Sequence, residues 1–163
     1  MSRVELAYED ATLQIAIRGP LMFVRWHDAP SLAQAREFSR LSHELSHGRP
    51  GGTALLNVIV RGTPRFTDGV REEVVRMTAD ATLFRLGAAH LVLIGGLASA
   101  AVRAFLSTML LMGHPKNPAK VFADAGAAAA WLAERLGGTS LSRAEVLRIH
   151  DALLARKLGE EVG

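Results

Sequence analysis

The chain has 163 residues, 49% of them apolar and 21% charged, a balance that suits one folded domain with its own core and excludes an intrinsically disordered chain. It has no cysteine, which excludes a disulfide framework, a thiol nucleophile and any cysteine-based metal site. Nineteen basic residues, sixteen of them arginine, stand against sixteen acidic ones, and three scattered surplus charges do not build a nucleic-acid surface.

The first ten residues carry Arg3, Glu5, Glu9 and Asp10, so no apolar targeting segment is expected there. Residues 4–8 and 13–17 alternate around a turn at Glu9-Asp10, and 21–26 adds a third run of strand formers after Gly19-Pro20. The chain therefore opens as an antiparallel meander. Pro30 suits an early helical position, and the helix from there to His47 shows an apolar face of Ala35, Phe38, Leu41 and Leu45 before Gly48 and Pro50 stop it. Residues 54–60 are almost wholly apolar, the pattern of a strand covered on both faces. After a loop at 61–66, a helix starts near Thr67 or Asp68, with Val70, Val74, Met77, Ala81 and Phe84 on one side and Glu72 and Arg76 spaced to pair.

A second buried strand is expected at 90–94, a helix at 97–112 and a short strand at 120–123. Asp124 then caps a helix over 125–136, closed by Gly137-Gly138. Last, Ser142 and Glu145 spell a capping box for a helix reaching about Leu158, with Leu147, Leu154 and Leu158 in one stripe beside Val146 and Leu153. The order β-β-β-α-β-α-β-α-β-α predicts an α/β fold on a mixed sheet, antiparallel at first and parallel later. Residues 1–138 form that domain, and 139–163 add a C-terminal helical extension.

Residues 91–112 hold one charge, Arg103, in 22 positions, long enough to span a bilayer. Gly95-Gly96 breaks the stretch, and Ser99, Arg103 and Ser107 then recur every fourth residue. That polar stripe belongs to an amphipathic helix, so the expectation is a cytoplasmic protein without membrane insertion. The helix is nevertheless apolar around most of its circumference. It is expected to be covered by the sheet and its neighbours, with Arg103 reaching out. The other readings are an apolar interface around Arg103, Leu110 and Leu111, including a homodimer, or a lipid-like ligand beside Leu110, Leu111 and Met112.

Three stretches in this order resemble the STAS domain, shared by sulfate transporters and anti-sigma-factor antagonists, and the related CRAL-TRIO-like bacterial proteins. They are Leu55-Leu56-Asn57-Val58 running into Thr67-Asp68-Gly69-Val70; Leu91-Val92-Leu93-Ile94 followed by Ala101-Val102-Arg103-Ala104-Phe105-Leu106; and Val121-Phe122-Ala123-Asp124 followed by Ala130-Trp131-Leu132. The resemblance covers residues 4–137. It implies a non-enzymatic regulator that docks protein partners, among them a regulatory kinase, through the turn and helix start after the central strand. In that family a serine or threonine at this helix start is phosphorylated, where the positive end of the helix dipole favours added negative charge. Thr63, Thr67, Asp68 and Gly69 occupy the region here. The Asp-Ser-Ser-Gly-like motif of the family is missing, with Thr67 the nearest hydroxyl and Asp68 a fixed charge. A helix-capping role for Thr67 or Asp68 is the simpler reading. A hydrophobic-ligand module is the alternative that the CRAL-TRIO side of the resemblance implies.

One motif competes. His43-Glu44-Leu45-Ser46-His47 matches H-E-x-x-H, in which two histidines on one helix face hold zinc and the glutamate acts as base. Measured from Phe38 at the centre of the apolar face, however, His43 lies about 140° and His47 about 180° around the helix. Arg36 and Arg40 share that outward side, and Gly48 ends the helix at once. A solvated helix face is therefore expected, with no metal and no cofactor, and a zinc hydrolase using His43, Glu44 and His47 is the distant alternative. His90 and His150 read as isolated. Ser99 and Ser107 show no triad. Trp26 and Trp131 read as fillers, with Trp131 the more securely buried.

Overall fold

The computed structural model describes residues 3–62 and 66–158. Its strands form one sheet in chain order: β1 (Glu5–Glu9), β2 (Leu13–Arg18), β3 (Leu21–Trp26), β4 (Ala54–Ile59), β5 (Gly87–Val92) and β6 (Ala119–Phe122). The first three are antiparallel, and each later neighbour is parallel, as the sequence predicts. The helices are α1 (Leu32–His47), α2 (Asp68–Ala79), α3 (Leu97–Gly113), α4 (Ala125–Arg135) and α5 (Arg143–Ala155).

Sheet neighbours are also chain neighbours, so each right-handed crossover from β3 to β6 steps the same way and lays its helix on the same face. Helices α1, α2 and α3 cover that face, and α4 with α5 covers the other. Period-two alternation then sorts the strands. Leu56 and Val58 of β4 point into a core with Leu132, Val146 and Ile149, while Leu55 points into one with Met22, Val24 and Leu41. The strand around Asn57 is thus an inner one, covered on both sides. The C-terminal helix shares the α4 core instead of standing apart from it.

Several local expectations change. Ser31, not Pro30, starts α1: its hydroxyl accepts from the Gln34 N–H at 3.1 Å, and the Gln34 side chain accepts the Ser31 N–H at 3.0 Å. Helix α2 ends at Ala79, leaving Ala81 and Phe84 in the turn after it, and Arg76 pairs with Glu73 at 2.6 Å instead of Glu72. Strand β5 begins three residues earlier than expected. Gly87-Ala88-Ala89 has little strand propensity, yet Gly87 (φ +147°) slips beneath Trp131 and Arg135, where a Cβ would collide. Strand β6 likewise starts one residue early, at Ala119.

The α5 stripe also turns. Val146, Ile149 and His150 are its buried residues, and the helix stops at Ala155. Only half of its capping box forms: Ser142 accepts from the Glu145 N–H at 3.2 Å, but the Glu145 carboxylate binds Arg148 and Arg18. Trp26 is buried and Trp131 only half so, lying under the Arg135 guanidinium. Among the described residues, no helix is long and apolar enough to cross a membrane.

Candidate functional site

Between the sheet and helices α1, α2 and α3 lies a cavity of about 150 Å³. Its floor is the face of β3, β4 and β5 beneath those helices, and its walls are aliphatic and aromatic. Phe38 of α1 stands edge-on to Trp26 and stacks on Phe84, with centroids 6.2 Å apart in each pair. At the carboxyl ends of the strands, Phe66 meets Phe105 of α3 edge-on at 5.0 Å, so the turn before α2 and the middle of α3 close on each other. At the opposite end, Asn117 donates to the carbonyls of Ala81 and Leu83 at 3.0 and 2.8 Å and ties the α3–β6 loop to the α2–β5 turn.

The floor carries one polar array. Asn57 and His90 are direct partners in the parallel β4–β5 register, and Trp26 lies on the neighbouring β3. The Trp26 Nε1–H donates to Asn57 Oδ1 at 2.8 Å, and Asn57 Nδ2 lies 3.0 Å from His90 Nδ1. An indole nitrogen only donates, which fixes the direction of the whole chain. Asn57 must present its oxygen to Trp26 and its amide hydrogens to His90, so Nδ1 accepts and the imidazole proton sits on Nε2. Burial beneath the helices pushes the His90 pKa from 6.5 down to about 4, and the ring is neutral at ordinary pH.

His90 lines the cavity, and its Nε2–H is a neutral donor with no hydrogen-bond partner among the described residues, Nδ1 being taken by Asn57. The other polar liners are engaged or peripheral. The Thr78 hydroxyl donates to the Val74 carbonyl at 2.8 Å, while Asp28 and Arg61 are exposed at the mouth. Gly62 shapes that mouth: at φ +118°, a Cβ there would lie 2.9 Å from the Ala29 backbone nitrogen.

Of the site residues singled out from the sequence, Leu110 lines this cavity and the others fall around it. Thr67 is the N-cap residue of α2, exposed and making no side-chain cap hydrogen bond, so the capping role expected of it is positional only. Asp68 is the exposed first residue of the helix, and Gly69 packs on Leu32. Thr63 lies outside the described residues. The proposed interface splits: Leu110 lines the cavity, Leu111 is 73% exposed, and the half-buried Arg103 donates to Ser99 Oγ at 2.6 Å. Helix α3 is covered less than expected, with Leu97 95% and Met112 50% exposed.

His43 and His47 lie on the exposed side of α1. The His43 ring is engaged at both nitrogens, by the Ser39 carbonyl at 2.8 Å and by Asp80 at 2.9 Å, and these raise its pKa. Glu44 pairs with Arg40 at 2.9 Å. No cluster of three metal-ligating side chains occurs among the described residues.

Sequence reasoning missed Trp26, Asn57 and His90 as a unit. The available signal was Asn57 itself, a lone amide inside an apolar strand, which demands buried partners. Placing His90 at the start of its strand, instead of three residues in, concealed the register that supplies one. No family model, curated protein or solved structure matches this chain.

Proposed function

We propose that the protein binds a small, mostly apolar molecule in the cavity between its sheet and α1–α3, and acts by binding rather than by catalysis. The carrying observation is the cavity itself: about 150 Å³ walled by Phe38, Phe84, Met77, Val102 and Leu106, with one unpartnered donor on its floor. Apolar cavities of this volume take up guests of about benzene size, and a few placed polar groups in an apolar wall are the usual build of a ligand site. The test is calorimetric titration with toluene, alongside native mass spectrometry of the purified chain. Saturable binding to one site is expected, weakened at least tenfold in Ala88→Phe, which fills the floor from β5. Absence of saturable toluene binding, or binding indifferent to Ala88→Phe in a folded variant, defeats the proposal.

The exposed and uncommitted Thr67 hydroxyl at the start of α2 supports a second reading, the partner docking that the STAS resemblance implies. A phosphate there would sit on the helix N-terminus beside Phe66, which lines the cavity, so docking and ligand occupancy would share one turn. Phosphopeptide mapping after co-expression with an anti-sigma-type kinase tests it. Phosphate on Thr67 is expected, and modification confined to other residues retires this reading.

A further inference from the structure

We infer that the cavity selects an uncharged molecule bearing one carbonyl-type acceptor with apolar groups on both sides of it, held by the Nε2–H of His90. This rests on the ligand-binding reading above and names the class of ligand.

Three observations carry it. First, polarity runs one way: Trp26 gives to Asn57, Asn57 to His90, and His90 to whatever fills the cavity. A ligand atom that only donates would meet a like donor there, whereas a ketone, aldehyde or ester oxygen completes the chain. Second, the donor lies midway along the floor. Asn57 and His90 pair between Leu55 with Ala88 on one side and Ile59 on the other, and Leu55 and Ile59 stand about 13 Å apart along β4. Apolar wall therefore extends in both directions from the acceptor, with Leu83 and Phe84 at one end and Phe66 and Phe105 at the other. A terminal carboxylate placed against His90 would leave half of that wall unfilled.

Third, the interior offers no countercharge. The cavity's charged liners, Arg61 and Asp28, have opposite signs and stand exposed at the mouth. A carboxylate at the floor would lose its water for a single neutral donor, a poor exchange.

Three probes of one size separate the classes: acetophenone, ethylbenzene and phenylacetate, titrated calorimetrically into the full chain. Acetophenone is expected to bind about two- to tenfold more tightly than ethylbenzene, the worth of one neutral hydrogen bond, and phenylacetate is expected to bind weakest. In His90→Phe the ketone and the hydrocarbon should bind alike. Trp26→Phe, which leaves Asn57 free to turn over, should reduce the ketone preference while ethylbenzene still binds. Equal affinities in the wild-type chain, phenylacetate binding tightest, or a preference that survives His90→Phe each overturn the inference. If none of the three binds while toluene does, the ligand class is wrong and the cavity reading stands. If toluene fails too, the reading beneath it falls.

Discussion

Asn57 shows how one residue organises a site. An amide in the middle of a covered strand must spend its donors and acceptor on protein groups or cost the fold about 1–3 kcal/mol for each one left unmade. Here it uses its oxygen on Trp26 and its nitrogen on His90, and thereby sets the tautomer of a ring that it does not itself bring to the cavity. The same burial makes His90 a determinant of acid stability. Its native pKa of about 4 lies below the 6.5 of an unperturbed imidazole, so between these values the unfolded chain binds more protons than the folded one. Stability from this group is therefore full above pH 6.5 and is lost as pH falls toward 4, by about 3 kcal/mol in all. Burial also lowers His27 and His150, which adds in the same sense, while the exposed His43 with its raised pKa acts weakly in the opposite one. Urea midpoints measured from pH 7.5 to 4.5 should fall, and His90→Gln should flatten part of that slope. An unchanged slope in the variant would show that His90 is not held neutral.

Among the elements, the cavity exists because α1, α2 and α3 are held at fixed distances from the sheet and from each other. Gln34 anchors one border. Besides closing the cap of α1, its amide donates to Asp10 and Thr12 at 2.9 and 2.8 Å, tying that helix to the β1–β2 turn. The other border is a close helix crossing. Gly113, the last residue of α3, lies so near Thr78 of α2 that an added Cβ would overlap the threonine side chain. Gly113→Ala is expected to cost about 1–3 kcal/mol, as overpacked sites do. Because Thr78 lines the cavity, the same change should shift toluene affinity. Thermal unfolding and toluene titration of that variant check both, and a variant as stable as the parent would mean that the two helices part freely.

For the entire chain, the question is whether residues after Gly138 are an addition or a necessity. Leu141, Val146 and Ile149 are buried in one core with Leu132 and Leu136 of the α4 segment. The Arg18–Glu145 ion pair fixes the start of α5 to the end of β2. The buried Arg25 of β3 donates to the Leu153 and Arg156 carbonyls at its end, and Arg156 reaches Glu9 at 3.1 Å. Burying three such apolar side chains is worth about 4–9 kcal/mol, comparable to the total stability of an ordinary domain. A chain cut after Gly138 is therefore expected to be unfolded or aggregated at 25 °C. A cooperative urea transition in that shortened chain would contradict this.

Element order, strand direction and the inner position of β4 were all legible in the sequence, because period-two and helical periodicity record which faces are buried, and right-handed connection leaves few ways to arrange the later strands. The cap at Asp124 is likewise local chemistry, whereas Ser31 reads as part of the helix and its cap with Gln34 emerged only once the β1–β2 turn lay beside it. The site was not legible in this way. Trp26, Asn57 and His90 are 31 and 33 residues apart in succession, and no local pattern links them. Their meeting depends on the exact register of three strands, and that register turned on Gly87 fitting beneath Trp131, a contact between distant elements. Periodicity reports the faces that helices and strands bury. Where three helices leave a space above a sheet, and which donor opens into it, is decided only by how distant side chains pack.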